Sequence, residues 1–287
     1  MKTILVLTDF SENATCAAEA ALVLSEKLHT DLLLFNTYIN YPTMASYSGG
    51  GWVVDEFSER KNNSKLGLEM LMEGMESLSN KLYQGDWKPK ITFQSDDNDL
   101  GLDVAEIIQQ NNVELIVMGA RSGDKNDIGY GADTNAVIEN VSKPVFIIPS
   151  NTNLQNIRKV VFSTNFDEAD INALHYLAKI GKLLNYQIEV IHVTEANETT
   201  TESAKELNFK EQLSGIKYQG LSYHEVKGKE VVNRLNRLIK ETGSGFIAML
   251  HHPHSFFVRL FQHSETKKEL ANQKIGLIVF PSKWKNE

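Results

Sequence analysis

One cysteine, Cys16, is all the thiol chemistry this 287-residue chain has. No intramolecular disulfide can form, which points to a reducing compartment. Cys16 sits among alanines at helical spacing, where a small buried residue is expected rather than a reactive thiol. A basic excess is missing too: 29 Lys and Arg face 37 Asp and Glu, a formal net charge of -8. That balance disfavours a general binder of nucleic acid or of anionic membrane. No apolar run is long enough to cross a bilayer. The first residues run straight into a strand pattern, without a signal-peptide layout. The cytoplasm is the expected location. Walker A, nucleophile-elbow and common zinc-ligand spacings are absent as well. Nothing marks a catalytic residue or requires a metal, so a non-enzymatic role is expected.

What the chain does have is a repeat. Lys2-Thr-Ile-Leu-Val-Leu-Thr-Asp-Phe-Ser11 is answered by Arg158-Lys-Val-Val-Phe-Ser-Thr-Asn-Phe-Asp167. Lys143-Pro-Val-Phe-Ile-Ile-Pro149 is answered by Ile275-Gly-Leu-Ile-Val-Phe-Pro281. A repeat this long means two copies of one domain. The expected domains are residues 1–150 and 156–287, joined by a short polar linker over 150–155.

Each copy alternates apolar runs with helical patterns. Strands are expected over 3–7, 32–38, 91–94, 115–118 and 145–148, with helices over 11–27, 56–83, 102–110 and 134–140. In the second copy strands are expected over 160–163, 188–193, 223–226, 246–250 and 277–280, and helices over 168–184, 201–213, 231–241 and 265–272. Residues 41–54, with Pro42 and Gly49-Gly-Gly51, read as a loop. The alternation implies an α/β fold with parallel strands and helices on both faces. Ligands on such sheets sit at the carboxyl ends of the strands.

Those ends are polar in the first copy. The first strand ends at Thr8-Asp9, where a carboxylate can accept from a ribose hydroxyl or an adenine amino group. The second ends at Asn36-Thr37. The fourth ends in Met118-Gly-Ala-Arg-Ser-Gly123 and runs on to Gly131-Ala-Asp-Thr134 at a helix start. Glycines at 119, 123, 129 and 131 would let backbone amides approach a phosphate, and Arg121 would add a charge-assisted bond. The same glycines also suit a tight turn.

At these residues the chain resembles the universal stress protein family. The first copy carries Leu-Val-Leu-Thr-Asp9-Phe-Ser, Val-Met-Gly119 and Gly131-Ala-Asp-Thr-Asn-Ala-Val-Ile138, followed by Pro144-Val. The second carries Phe-Ser-Thr-Asn165-Phe-Asp, Val-Ile-His192-Val193 and His263-Ser-Glu-Thr-Lys-Lys268. The resemblance spans nearly the whole chain as a tandem pair. It implies two flavodoxin-like (Rossmann-like) domains, each a five-stranded parallel sheet, which pair through their last strands across a two-fold axis. Many members bind ATP through Gly, two residues, Gly, nine residues, Gly and Ser or Thr.

Both copies depart from that pattern. In the first, Gly119 and Gly123 are one residue too far apart, and Ala132 replaces the hydroxyl. In the second, no glycine lies between Met249 and Ser264, and Asn165 replaces the acid of Asp9. The resemblance therefore implies one weakened site, for ATP or another adenine nucleotide, in the first copy only. Its expected contacts are Thr8, Asp9, Thr37, Met118, Gly119, Arg121, Gly123, Gly131, Ala132 and Asp133. The competing readings are an interaction module without nucleotide, with an unknown protein partner, and a slow ATPase. Within one chain the last strands are expected to pair as a pseudo-dimer, and a homodimer of chains is a further expectation.

His251, His252, His254 and His263 crowd the second copy's altered loop. Imidazoles can bind zinc. No Cys accompanies them, however, and a solvated loop filled by Phe256, Phe257 and Phe261 is expected rather than a metal centre.

Overall fold

A computed structural model describes residues 1–38, 52–83, 85, 87–120, 132–150, 154, 157–194, 204–227, 245–251 and 275–285. The first half supplies β1 (Thr3–Leu7), α1 (Glu12–Leu28), β2 (Asp31–Thr37), α2 (Trp52–Leu82), β3 (Ile91–Asp96), α3 (Leu100–Gln110), β4 (Val113–Gly119), α4 (Ala132–Asn140) and β5 (Val145–Ile148). The second supplies β6 (Lys159–Thr164), α5 (Glu168–Leu184), β7 (Gln187–Thr194), α6 (Ala204–Ser214), β8 (Leu221–Lys227), β9 (Gly245–Leu250) and β10 (Gly276–Phe280).

All ten strands join one sheet, in the order β3-β2-β1-β4-β5-β10-β9-β6-β7-β8. Within each half every pairing is parallel. Read outward from the middle, both halves run in the same topological order. They are two flavodoxin-like units, as the apolar runs predict. Helices α1, α2, α5 and α6 send Leu22, Leu68, Leu174 and Phe209 into the core on one face. Helices α3 and α4 send Ile107 and Val137 into the core on the other. The helices expected over 231–241 and 265–272 lie outside the described residues, as does most of the linker.

The first turn after each opening strand is built alike. Phe10 and Phe166 adopt left-handed φ values of 63° and 64°. The strain is offset by a threonine in each case. Phe10 N donates to Thr8 Oγ1 at 3.0 Å, and Phe166 N donates to Thr164 Oγ1 at 2.9 Å. The next residue then caps a helix, Ser11 for α1 and Asp167 for α5.

Several boundaries differ from the sequence expectation. Trp52, Val53 and Val54 belong to α2, not to a loop. Helix α3 starts at Leu100, because the Asp99 carboxylate accepts from Gly101 N and Leu102 N. Strand β3 continues through Ser95 and Asp96, whose backbones pair with β2. Cys16 is half-buried rather than enclosed.

The halves meet at β5 and β10, which pair antiparallel: Leu277 with Ile147, Ile278 with Phe146, and Val279 with Val145. The repeated motifs align Phe146 with Ile278. That pair is thus its own image, and the other two pairs exchange when the halves are swapped. This is the register a local two-fold axis requires. Outside the sheet, Lys179 of α5 lies 3.7 Å from Glu114 of β4, and Lys283 Nζ donates to the Glu139 carbonyl at 3.1 Å.

Ile278 sits on the local axis and is 3% exposed. Ile278→Ala is expected to destabilise the chain by about 2–5 kcal/mol. Leu183→Ala, at a side chain 42% exposed, should change stability by less than about 0.5 kcal/mol. Denaturant midpoints of the two variants measured side by side check this.

Candidate functional site at the carboxyl ends of the first-half strands

A cavity of about 670 Å³ opens where β1, β2 and β4 end. Its floor is Leu7, Phe35 and Met118; its walls are Thr8, Asp9, Ser11 and Ala14 from the β1–α1 turn, and Asn36 and Thr37 from β2. Asp97, Asn98 and Asp99 close one side, and Gly119, Ala120, Asp133 and Thr134 the other.

The sheet order creates this space. Strands β2 and β4 flank β1 on opposite sides, and their connections leave in opposite directions. Of the residues expected from sequence, Thr8, Asp9, Thr37, Met118, Gly119 and Asp133 line the cavity together. Ala132 opens α4 beside Asp133. Arg121, Gly123 and Gly131 lie outside the described residues, as do His252, His254 and His263. Among the described residues no cluster of His, Cys, Asp and Glu could hold a metal ion.

Several lining side chains are fixed by the scaffold. Asn36 Nδ2 donates to the Thr8 carbonyl at 2.7 Å, and Ser64 Oγ donates to Asn36 Oδ1 at 2.6 Å. This holds the ends of β1 and β2 together through a buried amide. Asp9 Oδ1 accepts from Ser11 N at 3.0 Å, so one carboxylate oxygen shapes the turn. Thr8 Oγ1 is already an acceptor for Phe10 N, which leaves its O–H to donate.

Gly119 has a structural reason to be glycine. A Cβ there would lie 2.7 Å from the backbone of Asn13 and of Ala14. The first turn of α1 packs directly on the end of β4, and Asn13 Nδ2 donates to the Ala120 carbonyl. The residue that sequence reading assigned to phosphate approach is required first by helix packing.

The cavity is acidic. Asp9, Asp97, Asp99 and Asp133 line it, and no Lys or Arg does among the described residues. Neighbouring groups feel this. The Tyr38 hydroxyl is raised above its usual pKa by burial first, then by Asp97 and Asp96. Behind the loop, burial raises the Asp103 carboxyl, and Asp96 adds to the effect against hydrogen bonds from Asn98. The sequence reading missed Asn98, Asp97 and Asp99. Their signal was present in the run Ser95-Asp-Asp-Asn-Asp99 at the carboxyl end of β3.

The second half builds the equivalent turn differently. Counting from the helix caps, Ala14 corresponds to Asp170, which is 1% exposed. Its Oδ2 accepts from the Thr164 hydroxyl at 2.7 Å, from Asp167 N at 3.2 Å and from Asn165 N at 3.3 Å. One carboxyl oxygen thus takes up the turn's hydroxyl and two backbone donors. Phe166 stacks on His192 at 4.1 Å between ring centroids, on the face that carries α6. Burial drives the Asp170 pKa up to about 7, with Asp167 adding to the rise.

Comparison with known proteins agrees with this architecture. The universal stress protein family model matches residues 1–149. Among solved structures, a universal stress protein from Archaeoglobus fulgidus aligns over 97% of this chain and 96% of its own, with 18% identity and a TM-score of 0.66. A putative universal stress protein from Pseudomonas aeruginosa aligns over 99% of this chain and 94% of its own, with 11% identity and a TM-score of 0.55. None of the curated proteins matches. The fold is that of a tandem, doubly wound α/β protein with its cleft at the strand ends. The chain belongs to the universal stress protein family.

Two outcomes follow. Gly119→Ala is expected to push α1 off β4 and lower stability by about 1–3 kcal/mol, read by thermal denaturation. Asp170 holds its proton in the native state up to about pH 7, whereas the unfolded chain releases it near 3.8. Its contribution to stability is therefore fully present below the lower value and lost as pH rises through the upper one. Asp170→Asn should flatten that part of the stability profile, measured as unfolding free energy between pH 5 and 8.

Proposed function

We propose that residues 1–150 and 156–287 are two domains acting as an intramolecular pseudo-dimer, and that the first binds an adenine nucleotide weakly while the second does not. The observation that carries this reading is the contrast at one position. Ala14 leaves a cavity over Thr8 and Asp9, and Asp170 fills the same place over Thr164 and Asn165. The β5–β10 register supports the pseudo-dimer.

The cavity suits a nucleoside better than a bare polyphosphate. Carboxylates at Asp9 and Asp97 can accept from ribose hydroxyls and an exocyclic amine, and the Thr8 hydroxyl can donate. The apolar floor of Leu7, Phe35 and Met118 suits a flat base. The same carboxylates repel phosphates. AMP should accordingly bind at least as tightly as ATP when no divalent cation is present.

The test is calorimetric titration of AMP and ATP into the intact protein and into Ala14→Asp. That substitution copies the second half's plug into the first. Saturable binding to the parent that falls at least about tenfold in the variant, with the fold intact by circular dichroism, is expected. Equal or absent binding in both proteins would favour an interaction module without nucleotide.

A further inference from the structure

We propose that the second domain carries an anion site at the opposite, amino-terminal ends of its strands, shaped for a small ligand with adjacent phosphate groups. A cavity of about 740 Å³ lies between the start of β6, the end of α5 and the loop entering β8. Arg158, Lys159, Lys182 and Lys217 line it, together with Tyr218 and Gln219, and no carboxylate does among the described residues. In a chain of net charge -8, four cations gathered around one hollow are not an average surface.

Three of the four have no ion-pair partner among the described residues. Lys159 Nζ pairs with Glu189 at 3.0 Å. Arg158, Lys182 and Lys217 make no ion pair with any described carboxylate. Gathering like charges without partners is unfavourable unless an anion joins them. Lys182 lies in the last turn of α5, where a cation answers the helix dipole. Arg158, Lys159 and Lys217 lie on no helix, so that explanation reaches only one of the four.

The first domain serves as an internal control. Helices α1 and α5 have the same length, and their left-handed C-caps, His29 and Asn185, coincide. On that alignment Glu26 stands where Lys182 does, Asp31 where Gln187 does, and Thr3 where Lys159 does. Lys2, the counterpart of Arg158, is paired with Glu114, and Asp31 accepts from Lys90 N at 2.9 Å. The first copy is mixed in sign at this end. The second has lost the acids and gained cations at the same places.

The walls are built before any ligand arrives. Tyr218 Oη donates to the Tyr186 carbonyl, and Tyr186 Oη donates to the Leu177 carbonyl at 2.8 Å. The Tyr218 ring lies against Gly181, where a Cβ would meet its hydroxyl oxygen at 2.6 Å. Ile188 N donates to the Gly220 carbonyl at 2.7 Å, which fixes the loop carrying Lys217. A planar guanidinium and two ammonium groups around a rigid hollow fit clustered phosphate oxygens better than a single carboxylate.

Inorganic pyrophosphate titrated calorimetrically into the full chain at low ionic strength tests this. One saturable site is expected, its affinity falling with added salt. The combined variant Arg158→Gln, Lys182→Gln, Lys217→Gln should weaken it by about tenfold or more. Lys217→Gln alone, at an exposed side chain, should weaken it by about threefold and guards against a misfolded triple variant. Lys88→Gln with Lys90→Gln, at the same end of the first domain, and Ala14→Asp, in the other cavity, should each leave it within about twofold. Absence of saturable binding, or equal losses in the Lys88/Lys90 or Ala14 variants, would overturn the assignment.

Discussion

The antiparallel bond ladder between β5 and β10 is what the rest of the molecule depends on. A parallel α/β unit of five strands leaves its last strand with an unpaired, apolar edge. Val145 to Ile148 on one side and Leu277 to Phe280 on the other are such edges, and both are buried. Each satisfies the backbone groups of the other. The pairing also joins the two cores, so that Ile148, Phe162 and Phe280 belong to one continuous apolar cluster. Separating the halves would expose backbone donors and hydrocarbon at the same line.

Duplication under such a constraint lets the copies diverge wherever the seam does not reach. The shared parts are scaffold: a threonine holding a left-handed phenylalanine, a capped helix, and a proline after the last strand. The divergent parts are at the strand ends. Ala14 against Asp170 is the sharpest case, because a methyl group lines a cavity where a carboxyl group takes up the turn's own donors. The Thr–x–Phe turn occurs in both copies, so it belongs to the shared scaffold.

Much of the architecture was legible because parallel strands covered on both faces are nearly unbroken apolar runs. Ile4 to Leu7 and Phe246 to Leu250 could hardly be anything else. Boundaries failed where polar residues joined an element through their backbones. Ser95 and Asp96 extend β3 without any apolar signal, and Asp99 starts α3 earlier than its apolar pattern does. The first cavity was partly legible, since strand ends are predictable places. Asp97 to Asp99 went unread as lining residues because their role depends on the path of the β3–α3 turn. The reason for Gly119 was invisible: nothing local says that the backbone at residues 13 and 14 will touch it. The cationic hollow could not be read at all, since Arg158, Lys182 and Lys217 stand apart in sequence, before β6, on α5 and in the loop entering β8.

The direction of the central pairing has a spatial corollary. Reversing the second half turns its strands upside down relative to the first. The amino ends of β6, β7 and β8 therefore share a rim with the carboxyl ends of β1, β2 and β4. Five strand spacings separate β1 from β6, roughly 20–25 Å along that rim. One opening is ringed by aspartates and the other by lysines and an arginine. Among the described residues, that single border is thus acidic at one opening and basic at the other.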